Sequence, residues 1–319
     1  MENRKDNLYS KDSIESLDPL SFTRLRPQVY AGDCTYSTQL LVEIFSNAVD
    51  EFNAGHGNKI DVTINKTTMS VRDYGQGFIP NSFRDDGETI LQAAFDILNT
   101  SGKYRDDGSY EGTSLGSFGI GSKITTFLSH WLRVKTMRDG MWEECYFKEG
   151  VFNKRTTGAG GVTGTLVEWQ PSEEFFTNTE VEVSKIKALF KTISCLCPGL
   201  TINLNDDGKM ETYKSENGLN DLVDEAVKDK EILSNRLVVN EQKDKYKLDL
   251  IMTYTSNYSS TIVPYVNTGL TDTGAHITQL KTALTREMNK FFREQKWLKD
   301  KDDNLSGDDI QEGLYIVFN

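Results

Sequence analysis

The apolar positions of this chain fall into a few clear periods. Over residues 37–53, Leu40, Leu41, Ile44, Phe45, Ala48, Val49 and Phe52 recur at three- and four-residue spacing, the stripe of an amphipathic helix. Ser37 stands where a cap belongs and Gly55 where a helix stops. Ile60, Val62 and Ile64 then alternate with polar residues, as do Met69, Val71 and Asp73, which predicts a hairpin turning near Lys66-Thr67. Further helices are predicted over 87–99 and 122–132. Antiparallel strands follow at 134–136, 142–147, 151–154 and 163–169, then a helix over 181–194, a strand at 200–204 and a helix over 219–227. After the charged stretch 228–234 the pattern restarts with strands at 237–239, 247–255 and 262–267, a helix over 276–296 and an apolar strand over 313–319. Residues 1–35 show no period and read as irregular, with Leu17, Leu20 and Phe22 as anchors, and no internal repeat is visible.

The predicted fold class is therefore α/β (α+β in detail), with a first domain at 1–232 and a smaller second one at 233–319. A chain of 319 residues can bury two cores of ordinary size. Its 37% hydrophobic and 26% charged content suits a soluble globular protein. No apolar run reaches bilayer length, and the polar start Met1-Glu-Asn-Arg-Lys-Asp lacks the apolar core of a secretion signal. Four scattered cysteines and three histidines argue against a structural zinc site and fit the reduced thiols of a cytosol. A net charge of −12 argues against a surface that wraps nucleic acid by bulk charge. A basic strip from Lys281 to Lys299 reads as a solvated helix face.

Chemistry concentrates in the first third. Glu43, Asn47 and Asp50 share an arc of the first helix. A carboxylate one turn before an amide can hold an attacking water as general base while the amide oxygen binds Mg²⁺, which favours a few oxygen ligands plus phosphate oxygens. Asp73 ends a strand just before Gly75 and Gly77, where a carboxylate can accept from the exocyclic amine of adenine and glycines let backbone approach the ring. Gly116-Ser-Phe-Gly119-Ile-Gly121 opens the helix from Ser122, and backbone amides there favour phosphate. It is not a Walker loop, because the order is Gly121-Ser122-Lys123, nor a dinucleotide fingerprint. Taken singly, these pieces read as a solvated face, a turn and a flexible linker; their order and spacing carry the signal.

Together the motifs resemble the Bergerat-type (GHKL) ATPases, and within them the ATPase half of the type IIA topoisomerases, the gyrase B and topoisomerase IV B subunits. Arg24-Leu-Arg26-Pro27-x-x-Tyr30-x-Gly32 looks like the family's entry segment, Ser101-Gly102-Lys103-Tyr104 like its lid and Thr163-Gly164-Thr165 like its adenine-side strand. Lys281-Thr-Ala-Leu-Thr-Arg286 and Asn304-Leu-Ser-Gly307-Asp308-Asp309 look like its transducer. The resemblance implies a two-layer Bergerat sandwich followed by a transducer of the ribosomal protein S5 domain 2 type. It implies ATP and Mg²⁺ as cofactors, with Glu43 as base and Asn47 as the magnesium ligand. Asp50, Asp73, Gly75, Gly77, Ile79, Pro80 and Thr165 would meet the nucleoside side. Tyr110 would pack near the nucleoside, and Lys103 with the amides of Leu115, Gly116, Ser117, Phe118, Gly119, Ile120 and Gly121 would contact the phosphates. Tyr9 and Ile14 resemble the arm that crosses to a partner. Implied partners are a second copy on ATP binding, a gyrase A or topoisomerase IV A-type cleavage subunit and duplex DNA, with no membrane, in the cytoplasm of a bacterial or phage-infected cell.

Several positions depart from the family pattern. Gln76 replaces an arginine expected to pair with Glu51, Gln39 replaces a histidine that steadies the base, Ser46 replaces an aspartate and Phe118 a histidine. The resemblance also implies a Gln-Thr-Lys loop soon after Phe318, and the chain ends at Asn319 with no Toprim-like acidic cluster. The expectation is thus a fragment, a split-gene product or a nucleotide binder with weak hydrolysis, and the alternatives in function are a dimerisation or regulatory module without turnover and a MutL-like repair ATPase.

Overall fold

The computed structural model describes residues 17–98, 119–243 and 246–319, and divides into two units. One runs to Ile186 and takes back Asn203–Thr212; the other takes Lys187–Ile202 and everything from Tyr213 onward.

The first unit opens with α1 (Pro19–Leu25) and α2 (Pro27–Ala31), in a stretch expected to be irregular. Both carry proline in the first turn, where a missing N–H costs nothing, and Asp18 Oδ1 caps α1 by accepting from Ser21 N at 3.0 Å. Helix α3 (Thr38–Asn53) matches its predicted stripe: Leu40, Leu41, Ile44, Phe45, Ala48 and Val49 are each 4% exposed or less. Ser37 does occupy the cap position, but its hydroxyl donates to the carbonyls of Thr179 and Glu180 rather than accepting from the helix. Strands β1 (Lys59–Asn65) and β2 (Thr68–Asp73) form the expected hairpin, Asn65 opposite Thr68, with Lys66 at φ +51° in the turn.

Helix α4 (Ile90–Asp96) is shorter than its pattern, and α5 (Gly121–Phe127) ends before the predicted Leu132. The chain instead enters β3 (Ser129–Arg138), where Leu132 and Val134 are fully buried two residues apart. Pairing with two neighbouring strands overrides the helical spacing there. Strands β4 (Met141–Lys148), β5 (Val151–Ala159) and β6 (Gly164–Pro171) follow, then α6 (Val183–Leu196), β7 (Thr201–Asp206) and β8 (Lys209–Tyr213), the last not anticipated.

The sheet order is β5-β4-β3-β6-β2-β1-β7-β8, antiparallel at every step from β5 to β1. Helix α3 lies on β1 and β2, α4 on β4 and β5, and α5 on β3 and β6 while touching both other helices. Ile60, Val62, Ile64, Met69 and Val71 point into this layer, and Asp61, Thr63, Ser70 and Arg72 point away. Burying each large apolar side chain contributes about 1.5–3 kcal/mol, so the α3 stripe is what holds that helix to the sheet. Asp73 continues the inward phase of β2, which carries a carboxylate onto the helix side of the sheet.

The second unit holds most of α6 and then α7 (Leu219–Val227), β9 (Leu237–Lys243), β10 (Tyr246–Tyr254), β11 (Thr261–Val266), β12 (Gly269–Leu270), α8 (Ala275–Glu294), α9 (Gly307–Gln311) and β13 (Leu314–Phe318). Its sheet runs β12-β11-β13-β10-β9, with β11 and β13 parallel and joined through α8 and α9. Strand β13 is buried along its whole length, with Leu250, Ile316 and Phe318 at the core. The unpredicted α9 is set by a capping box between Ser306 and Asp309. The basic strip is not simply a solvated face. Lys281, Arg286, Lys290 and Arg293 line a groove of about 820 Å³ with Asn304 and Gln311, and Arg293 donates to the carbonyls of Lys299 and Asp302. Among the described residues no helix is long and apolar enough to cross a membrane.

Candidate functional site

Three segments of the first unit bring the predicted residues to the helix side of the sheet. On α3, Glu43 is half-buried, Asn47 is exposed and Asp50 is only 5% exposed, so the shared arc of the three covers three different environments. Burial pushes the Glu43 carboxyl above the ordinary range, and a hydrogen bond from Gln39 opposes that shift. Gln39 Nε2 donates to Glu43 Oε1 at 2.7 Å from one turn earlier. Glu51, expected to lose an arginine partner, accepts instead from the backbone N–H of Gln76 at 3.1 Å, and its side chain fills the space where Gly75 would carry a Cβ.

Strand β2 delivers Asp73, 8% exposed. Its Oδ1 accepts from Gly75 N at 2.8 Å and from Thr165 N, at the start of β6, at 3.1 Å. Burial nevertheless pushes this carboxyl up to about 6, more than the two amides can offset. The turn beyond is built around Gly77, at φ +67°, where a Cβ would press on Met137 O and Thr136 Oγ1. Thr136 Oγ1 accepts from Phe78 N at 2.7 Å, and Arg138 Nη1 donates to Gly77 O at 3.3 Å. Asn81 N donates to Glu143 Oε2 at 2.6 Å, and the fully buried Glu143 pairs with Arg155 at 3.1 Å. Ile79 is exposed and Pro80 half-buried between these anchors. Sequence reasoning misses Thr136, Arg138, Glu143 and Arg155. Only the pairing of β3 with β4 and β6, and of β4 with β5, brings them to the loop, and no local signal announces that.

The glycine loop supplies the third segment. Gly119, Ile120 and Gly121 are described, and Gly121 is the first residue of α5. A Cβ on Gly121 would collide with the Glu43 carboxylate, so Glu43 and the glycine loop are in direct contact. Thr125 Oγ1 donates to Gly121 O at 3.0 Å and approaches Leu40 O at 3.4 Å, tying α5 to α3. Lys103, Tyr110, Leu115, Gly116, Ser117, Phe118, Tyr9 and Ile14 lie outside the described residues. Among the described residues no cluster of three or more His, Cys, Asp or Glu could hold a metal ion. The arrangement offers a half-buried carboxylate base, free backbone approach at a glycine turn and, on the sheet, a carboxylate that can read a base.

The DNA gyrase B family profile matches residues 218–319. The B subunit of DNA topoisomerase IV from Streptococcus pneumoniae is 35% identical over 322 residues, covering 98% of this chain and 49% of that protein. Its counterpart from Staphylococcus aureus (strain Mu50) is 35% identical over 325 residues with the same coverage. The relatives of this chain are thus gyrase B and topoisomerase IV B subunits. The chain spans about half the length of the curated relatives it matches. The 43K ATPase domain of Thermus thermophilus gyrase B, solved with an aminocoumarin, superposes with a TM-score of 0.76 at 26% identity over 94% of this chain and 80% of that one. The topoisomerase IV ATP-binding domain of Francisella tularensis, solved with a small-molecule inhibitor, gives 0.77 at 23% identity over 94% and 81%. The mixed α/β architecture of two sheets is thus that of gyrase B-type ATPase domains.

Proposed function

We infer that this chain is the ATP-binding and ATP-hydrolysing region of a type IIA topoisomerase. The observation that carries the reading is the abutment of Glu43 on Gly121, which puts a carboxylate of raised proton affinity against the loop expected to hold the phosphates. Asp73, fixed through one oxygen by the amides of Gly75 and Thr165, presents its other oxygen to the exocyclic amine of adenine. Asp50, Gly77, Ile79 and Pro80 border the nucleoside. Glu43 orients a water and takes its proton as the water attacks the terminal phosphoryl group, a reaction in which positioning and charge stabilisation carry most of the rate. The exposed amide oxygen of Asn47 suits Mg²⁺, which would supply charge neutralisation on the phosphate oxygens when bound. Lys103, Tyr110 and residues 115–118 complete the pocket in this reading.

We assign residues 1–232 to the ATPase domain and 233–319 to the transducer, a division supported by the five-stranded sheet that starts at Leu237. ATP binding favours a two-fold dimer in which the arm bearing Tyr9 and Ile14 crosses to the partner. In the intact enzyme that dimer is the entry gate for duplex DNA and works with an A-type cleavage subunit in the bacterial cytoplasm.

The test is Glu43→Ala, with nucleotide titration beside phosphate release. Retained ATP binding with turnover lost supports the assignment; equal turnover in purified variant and parent removes Glu43 as base. A parent that binds ATP but releases no phosphate favours the second reading, a nucleotide-dependent dimerisation module.

A further inference from the structure

Lys123 is strongly buried beside this site and takes no part in the chemistry assigned to it so far. It lies on α5 two residues after Gly121 and is only 2% exposed. Keeping an ammonium out of water is costly, so its surroundings must reward the charge. Its Nζ donates to the carbonyl oxygen of Gly119 at 2.7 Å. Gly119 sits at φ +63°, a conformation that turns the following peptide sharply. In a trans peptide the C=O and the next N–H point in opposite directions. A cation that holds the Gly119 carbonyl on one side therefore aims the Ile120 N–H to the other.

A carboxyl group of opposite sign, Asp96 at the end of α4, acts on Lys123 electrostatically. Asp96 Oδ2 accepts from Gln92 Nε2 at 3.2 Å, and Oδ1 is buried without a hydrogen bond among the described residues. Burial pushes this carboxyl up to about 6 and the Lys123 ammonium down to about 8, so each group resists holding its charge. Glu88 and Arg84 act on Asp96, and Glu43 stands at Gly121 on the α3 side. The neighbouring Ser122 hydroxyl donates to Ala94 O at 2.8 Å, which fastens this turn of α5 to α4.

We propose that Lys123 is a positioning residue for the phosphates of the bound nucleotide: it fixes the Gly119–Ile120 peptide and places a buried positive charge behind the loop. The proposal rests on the reading that Gly119 to Gly121 face phosphate. It adds a cation from within the loop's own helix, separate from any lysine of the lid. Its signature is selectivity, because such a residue strengthens binding of anything carrying a diphosphate and is indifferent to the nucleoside alone.

The experiment is calorimetric titration of the full chain with adenosine and with ADP, both with Mg²⁺. In Lys123→Met, ADP affinity falls about tenfold while adenosine affinity stays within twofold of the parent. Equal loss for both ligands would mark a merely structural lysine, and no loss for either would remove its role; both overturn the proposal. Should Lys123→Met fail to fold, Lys123→Gln, which removes the charge with a polar side chain, is titrated in its place: ADP affinity falls severalfold with adenosine unchanged, and equal loss for both ligands or no loss for either overturns the proposal. A parent that binds neither ligand sinks the nucleotide-site reading itself, whereas a parent that prefers ADP to adenosine, with variants no different, sinks only Lys123.

Discussion

Gln39 donates from Nε2 to Oε1 of Glu43 at 2.7 Å, one helical turn away on the same face of α3. The position where the family pattern places a histidine therefore still holds the Glu43 carboxyl, through a neutral amide that does not titrate. That amide lowers the carboxyl against the burial that raises it. Gln39→Leu should cut phosphate release by about tenfold, equivalent to one net hydrogen bond to a charged group of about 1.5 kcal/mol. Nucleotide affinity should hold. The acid limb of the rate profile should move to higher pH, since the variant's Glu43 ionises later. Initial rates from pH 5 to 9 measure this, and a superimposable profile would show that Gln39 does not act on the base.

In the proposed reading, Asp73 should couple adenine binding to pH. Its folded carboxyl ionises at about 6 and that of an unfolded chain near 4. Between those values the folded chain holds the extra proton, so the stabilisation is complete below pH 4 and is lost as pH rises through 6. Asp73→Asn should therefore raise the melting temperature at pH 8, by at most about 3 kcal/mol in stability, and give little gain at pH 4. Adenosine binding by the parent should run the opposite way and weaken as pH falls from 7 to 5. Melting curves and titrations at matched ionic strength read both, and a variant gain at pH 4 as large as at pH 8 contradicts the sign.

Gly121 has no space for a side chain, because a Cβ would run into the Glu43 carboxylate. Gly121→Ala must part α3 from α5 or turn the base aside. Overpacking of this kind costs about 1–3 kcal/mol, and turnover should fall by at least tenfold. Denaturant melts and phosphate release together test it; full activity in the variant would mean the two segments are not held in contact.

Glu143 is fully buried, with Arg155 at 3.1 Å and the Asn81 N–H at 2.6 Å. Arg155→Met strands that carboxylate. With the arginine side chain a quarter exposed, the cost should sit near the low end for a broken buried pair, about 3 kcal/mol. The double variant Arg155→Met with Glu143→Leu should recover most of the loss. A single variant as stable as the parent would show that the pair holds nothing.

Local periodicity makes α3, the β1–β2 hairpin and α7 legible, because their apolar spacing agrees with what the sheet requires. The helices α1 and α2 are also written locally, in Asp18-Pro19 and in Pro27, but without a long stripe the prolines read as breaks. Likewise Ser306 with Asp309 spells a capping box, which hydrophobic period alone does not reveal. At Leu132 the local and tertiary preferences conflict, and the strand pairing of β3 prevails. Motif spacing can mark Glu43, Asp73 and Gly121 for the site. The clamps at Thr136, Glu143 and Arg155 are products of register between strands distant in sequence, and no window of residues contains them.

One oxygen of Asp73 is already taken by two main-chain donors, from Gly75 and from Thr165. Only a single acceptor is left over for anything that arrives. A purine bearing an amino group would satisfy it, whereas one bearing a keto group, such as inosine, would bring oxygen face to face with oxygen. In the proposed reading, discrimination between the two rests on these main-chain donors, and relaxing it would take replacement of the aspartate itself.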